Sequence, residues 1–209
     1  MRALLSLLAL PFLIGATPTL VEPGIVHVRL DTAAGAITLA LDARHAPRTV
    51  ANFMLYVDDG RLEGTRFFRA ARSRGRAGGF IEGGIGTDPR RVLPPVPLEP
   101  TSRTGLHHVD GAISMARFDQ PDSATGNFSL YVGASPGMDA HGRDGGYAVF
   151  GRIVGGMDVV RRILAMPASG GSGAMRGQVL DRPVTIVRAV RLDGVAHPTG
   201  RPKPWTLGL

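Results

Sequence analysis

The sequence predicts a mainly β fold, a closed antiparallel β-barrel capped by two short α-helices. Short strand-like segments recur between turn-rich stretches, and only two segments carry a helical period. With 29 glycines and 16 prolines among 209 residues, the composition favours many turns over a helical bundle. Hydrophobic residues make up 44% and charged residues 20%, the mixture of a globular chain with room for one sizeable core.

Arg2, the apolar run Ala3 to Leu13 and the small-residue exit Gly15-Ala16 read as an export leader over residues 1–16. That run is too short for a bilayer, which needs about 20 apolar residues. No later segment is long enough either, so no stable membrane insertion is expected once the leader is removed. Residues 17–24 form a linker and 25–192 the domain. Residues 193–209, rich in Pro and Gly and carrying the single Trp205, form a tail that is either floppy or ordered on contact. The absence of cysteine suits a periplasmic or secreted protein, since an oxidising compartment has nothing to act on.

Within the domain, Ile25–Leu30 alternates apolar and polar residues, Asp31–Gly35 turns, and Ala36–Leu41 answers as the second strand of a hairpin. Pro47 opens a helix in which Val50, Phe53, Met54 and Val57 make one apolar stripe, the signature of core packing, and Gly60 stops it. Strand-like pieces follow at Arg66–Arg69, Phe80–Glu82, Ala112–Met115, Phe128–Val132 and Ala148–Ile153. A second helix fits Met157–Ala165 with Val160, Ile163 and Leu164 inward, and Val184–Leu192 is the last strand.

The formal net charge is +7, carried almost wholly by arginines scattered in ones and twos, with Lys203 the only lysine. No basic helix or interleaved aromatic ladder accompanies them, so nucleic acid is not an expected partner. The histidines at 27, 45, 107, 108, 141 and 197 lack the i, i+4 helical spacing of a zinc protease. His107 and His108, if on a strand, would point to opposite faces, so no metal is expected there. There is no Gly-x-Ser-x-Gly elbow and no cysteine nucleophile. Gly83-Gly84-Ile85-Gly86 lacks the third glycine and following helix of a phosphate loop. The Asn127-Phe128-Ser129 sequon falls in a strand and is read as coincidence. No cofactor is implied.

Three ordered segments survive. They are Thr65-Arg66-Phe67-Phe68-Arg69 leading to Gly79-Phe80-Ile81-Glu82-Gly83-Gly84, then Gly111–Arg117 leading to Asp122–Phe128, and finally Arg143–Gly151 leading into Val154–Val160. Together they resemble the cyclophilin family of peptidyl-prolyl cis-trans isomerases over roughly Ile25 to Leu192. The resemblance implies an eight-stranded barrel, a monomer, and proline-containing segments of unfolded or exported proteins as partners. Xaa-Pro bonds face a barrier of about 18–20 kcal/mol and isomerise unaided over tens to hundreds of seconds. By resemblance, Arg69 is the guanidinium that stabilises the twisted amide electrostatically.

The resemblance also assigns substrate contacts to Phe80, Glu82, Met115, Ala116, Arg117, Asn127, Ser129, Met138 and Tyr147. Several depart from the family's pattern. Glu82 and Asn127 replace glutamines, and Glu82 is expected to pair with Arg69 bidentately, either orienting it or occupying the donors that substrate needs. Ser129 stands where the family has the phenylalanine that floors the proline pocket, and Gly137 where it has Trp or Phe. A short insertion within Arg72–Gly79 puts Gly79 at another pocket phenylalanine, with Phe80 as the substitute after a one-residue slip. Burying a Phe-sized side chain is worth about 1.5–3 kcal/mol, so the pocket is expected to be shallow and wet unless Phe80 and Met138 compensate. Two classes of function stay open beside an unrelated β-barrel interaction protein: a working isomerase, and a catalytically weak peptide-binding or chaperone module of the same fold.

Overall fold

The computed structural model describes residues 24–73 and 78–206, so the expected leader at 1–16 lies outside the described residues. Among the described residues, nine strands alternate with three short α-helices: β1 (Ile25–Thr32), β2 (Gly35–Asp42), α1 (Pro47–Asp58), β3 (Arg66–Arg72), β4 (Gly79–Gly84), α2 (Thr101–Thr104), β5 (Ala112–Met115), β6 (Asn127–Val132), β7 (Val149–Gly155), α3 (Met157–Ala165), β8 (Ala168–Gly170) and β9 (Val179–Arg191). The sheet runs β1-β2-β7-β5-β6-β4-β3-β9-β8, every pairing antiparallel, and β1 also pairs β9. That last pairing closes an eight-stranded barrel and leaves β8 hanging outside it on β9. Closure removes the free strand edges that would otherwise invite aggregation.

The expected barrel is therefore present, with two additions. Both α2, a single turn, and β8, three residues long, are too short to leave a period in the sequence. The last strand also begins earlier than expected, at Val179 rather than Val184. His107 and His108 lie in the loop before β5 and not on a strand, so alternation does not apply to them.

Helix α1 has no capping side chain of its own. The buried Glu99 carboxylate does that work from a distance, accepting from the backbone N of Arg48 (3.2 Å) and Thr49 (2.8 Å) and from Thr49 Oγ1 (2.6 Å). The apolar stripe of α1 faces the barrel interior, where Phe53 meets Phe128 edge-on at 5.3 Å and Phe150 at 5.3 Å. Phe67 adds a second edge-on contact to Phe128 at 5.7 Å. Helix α3 touches β2, β3, β4 and β6, strands that are not all neighbours, as a plug over one barrel end must.

The tail is ordered by contact. Asp58, its side chain 2% exposed, takes Arg191 on both carboxylate oxygens (3.0 and 2.7 Å) and the backbone N of His197 (2.9 Å). Asp59 accepts from the backbone N of Thr199 (2.7 Å) and pairs at 2.8 Å with Arg61, both side chains at most 3% exposed. Trp205 then covers Arg61, whose guanidinium lies 4.7 Å from the ring centroid, and Arg91 at 5.0 Å. Replacing Asp59 by Ala leaves Arg61 buried without its counter-charge, and the expected loss is about 3–5 kcal/mol in urea unfolding followed by circular dichroism. Trp205 emission should shift toward that of exposed indole at lower urea than in the wild type. Coincident transitions in both proteins would show the pair to be unimportant.

Candidate active site

The outer face of β3, β4, β6 and β5 is organised by register. Arg69 stands opposite Glu82, Glu82 opposite Ser129, and Ser129 opposite Ser114. One step along the same face, Ala71 stands opposite Phe80 and Phe80 opposite Tyr131. The intervening Ile81, Leu130 and Ile113 point into the core and are fully buried. A polar row thus runs beside an apolar one, with facing Cβ atoms about 4.5–5.5 Å apart.

The expected bidentate pairing of Arg69 with Glu82 is not found. Glu82 Oε2 accepts from Nη1 alone, at 2.8 Å. The opposite edge of the guanidinium is held by Gln178, whose Oε1 accepts from Nε (3.0 Å) and Nη2 (2.7 Å). The reason is geometric: Gln178, just before β9, reaches the Nε edge and leaves Glu82 the Nη1 corner. Three of the five guanidinium N–H groups are engaged, one of them by Glu82, so one on each terminal nitrogen stays available. Phe80 lies under the guanidinium, 5.0 Å from its carbon to the ring centroid.

Gly79 sits where no side chain fits. Its φ is +139°, and a Cβ there would lie 2.0 Å from the Ala71 carbonyl oxygen, so no phenylalanine fits. Phe80 instead packs on Tyr131 at 5.3 Å, in a small outer cluster with Ala112, Val149, Leu106 and Met138. Tyr131 is 2% exposed, and burial pushes its phenol up to about 12. Its hydroxyl makes a long contact of 3.4 Å with Ser114 Oγ.

The remaining expected residues are divided. Met138 joins the cluster and Ser129 the polar row, whereas the Met115 side chain lies in the barrel core. Ala116 follows β5, its N donating to the Asn127 carbonyl at 2.9 Å. The Asn127 amide is engaged with Gly86, accepting from its N at 2.8 Å and donating to its O at 3.0 Å. Arg117 bridges two loops through the carbonyls of Gly146, Phe118 and Asp119, and stacks on Tyr147 at 4.9 Å. At Gly137 a Cβ would meet nothing within 4 Å, so the place of the missing aromatic is open. Beside the polar row runs a groove of about 720 Å³ lined by Phe68, Glu82, Ile85, Asn127, Met175 and the exposed ring of Phe118 among others.

Residues 27–191 match the sequence model of the family described as cyclophilin type peptidyl-prolyl cis-trans isomerase. The chain belongs to that family. Among its relatives, peptidyl-prolyl cis-trans isomerase A of Dickeya dadantii is 37% identical over 164 residues, covering 78% of this chain and 83% of that one. A peptidyl-prolyl cis-trans isomerase of Acinetobacter baylyi is 34% identical over 160 residues, covering 77% and 82%. The crystal structure of a Cryptosporidium parvum cyclophilin superposes with TM-score 0.63 at 19% identity, covering 82% of this chain and 99% of that one. A second structure of it, in the presence of the dipeptide Ala-Pro, gives TM-score 0.61 at 20% identity, covering 80% and 99%.

Four side chains of this cyclophilin's site escaped the sequence: Gln178, Tyr131, His108 and Asp139. Tyr131 had a signal, since residues two apart on a strand share a face with Ser129. Gln178 had none, being 109 positions from Arg69. Asp139 takes His108 Nδ1 at 2.6 Å and His107 Nδ1 at 3.1 Å, so the two rings converge on one carboxylate instead of diverging. His108 packs edge-on against Tyr131 at 4.8 Å, and its Nε2 is buried without a partner.

Burial pushes the His108 imidazole below its ordinary value against the opposing pull of Asp139. Below about pH 6.5 the unfolded chain therefore takes up a proton at this residue that the folded chain refuses, and stability falls as pH drops. Urea midpoints should decrease from about pH 7.5 to about pH 5.5, and less steeply in His108→Asn, which keeps a donor toward Asp139. An unchanged slope in the variant would assign the effect elsewhere.

Proposed function

We propose that this cyclophilin accelerates Xaa-Pro isomerisation in exported polypeptides, with Arg69 as the electrostatic catalyst. The carrying observation is the state of the Arg69 guanidinium. It is fixed on two edges by Glu82 and Gln178, half-buried, and keeps an N–H on each terminal nitrogen. A donor held in place costs no reorganisation when the amide twists and its nitrogen gains a lone pair. The prolyl ring needs an apolar seat, for which the partly exposed Phe80 and Met138 are at hand. The flanking peptide needs an extended path, for which the groove past Glu82, Asn127 and Phe118 has an apolar lining. No covalent step is required, since lowering a rotational barrier demands only tighter binding of the twisted amide than of either planar form.

Export rests on the leader-like residues 1–16. Mass spectrometry of protein recovered from the periplasm or medium should give an N-terminus just after Ala16. Full-length protein confined to the cytoplasm would remove the export reading.

Gly137 favours a second reading, a peptide-binding module with weak catalysis, because the open space there leaves one wall of the proline site unbuilt. Exchange NMR on a short Ala-Pro peptide separates the two. Acceleration by the wild type and a loss on the order of 10²–10³ in Arg69→Ala are expected for the enzyme. Binding with no acceleration by the wild type would leave the module.

A further inference from the structure

Resting on the isomerase reading, we propose that the segment after Leu192 is a strap whose Trp205 positions the lining of the peptide groove through Arg91. It thereby governs the binding of extended substrates. The strap lies beyond residues 27–191, the part of the chain that matches the family. Two stretches of chain, residues 64–66 and 85–88, line the groove that also holds Glu82. Arg91 ties one to the other. Its Nη1 donates to the carbonyls of Arg61 (2.7 Å) and Glu63 (2.9 Å), just ahead of Gly64, and its Nε lies 3.4 Å from Asp88 Oδ2. Arg61 answers with Nη1, donating to the Arg91 carbonyl at 3.2 Å. Arg90 also grips Asp88, but from within the same loop, so it ties Asp88 to nothing on the other side.

Trp205 closes over this tie. Its ring centroid lies 4.7 Å from the Arg61 guanidinium and 5.0 Å from that of Arg91, the two cations that the crossed hydrogen bonds bring together. An aromatic face attracts both charges and keeps water from their hydrogen bonds. The strap presents that ring at little cost in chain entropy. Pro198, Pro202 and Pro204 restrict its backbone, and Asp59 holds it at Thr199. Both ends of the loop that carries Arg91 are fixed elsewhere, Gly86 by the Asn127 amide and the backbone N of Leu93 by the Tyr56 hydroxyl (2.9 Å). Between them lie Thr87 and Asp88, which line the groove and have Arg91 as their tie to the opposite stretch. Trp205 is thus a positioning residue that acts on substrate through Arg91.

The test compares a short Ala-Pro peptide with one of about ten residues centred on Ala-Pro, which spans at most about 33–36 Å and can enter the groove. Binding and exchange of both are followed by NMR. Trp205→Leu should raise the Kd of the long peptide about two- to fivefold, the scale of one lost cation–π contact, and leave the short one unchanged. Trp205→Phe, which keeps a ring face, should recover most of that loss. A second readout needs no variant, because Trp205 is the only tryptophan in the chain. Coupling is reciprocal, so its emission should change on saturation with the long peptide and not with the short one. That readout decides the question where Trp205→Leu folds poorly, and emission indifferent to the long peptide would then overturn the strap. A folded Trp205→Leu that binds both peptides as the wild type does, or weakens both equally, would overturn the strap and leave the isomerase reading standing. Wild-type protein that binds the peptides without accelerating exchange would sink catalysis alone, and the Kd ratio would still decide the strap. Binding of neither peptide would overturn both.

Discussion

Side chains on a strand alternate between faces, so the register that sets Arg69 opposite Glu82, and Ser129 opposite Ser114, also decides everything that meets outside the barrel. A slip of β6 by one residue against β4 would bring Leu130 out into water and turn Ser129 and Tyr131 inward. The fully buried core residues therefore pin the active face by refusing any other register. Barrel closure through β1 and β9 completes the constraint, because a closed sheet cannot shift one pair without shifting the rest.

The same economy of means recurs where charge is buried. Glu99 caps α1 from a loop, Asp58 clamps Arg191 and the tail, and Asp59 neutralises Arg61 beneath Trp205. Each carboxylate satisfies backbone N–H groups or hydroxyls as well as, or in place of, a cation. That is the condition under which a buried charge is tolerated, since unpaired it would cost several kcal/mol (about 3–5 for a broken pair). Through these contacts the segment after Leu192 becomes part of the barrel's outer surface.

Around Arg69 the carboxylate has a different effect. Glu82 in place of an amide draws the guanidinium toward β4, and Gln178 draws it toward β9, so the group is held between two strands that flank β3. The guanidinium is thereby fixed on two edges, and two of its N–H groups are left unengaged. Beside it lies the small outer cluster of Ala112, Tyr131 and Val149, with Phe80, Leu106 and Met138 packed against it. Gly79 cannot carry a side chain against the Ala71 carbonyl, and Phe80 packs beside it on Tyr131.

By itself the sequence determined the class of fold, the hairpin at Ile25–Leu41, the helices at Pro47 and Met157, the family, and the candidacy of Arg69. Those follow from alternation, helical period and ordered local motifs, all of which are local properties of the chain. The tertiary structure alone decided how Arg69 is held, because Gln178 is brought to it by closure and not by any neighbourhood in sequence. It also decided that His107 and His108 converge on Asp139, since a loop is free of the alternation that a strand would impose. Met115, matched by motif, points into the core, and Tyr131, unmarked by any motif, shares the cluster with Phe80. Motifs record which residue types recur along a chain, whereas the identity of the side chains that share a surface is settled by register, closure and the space that neighbours leave.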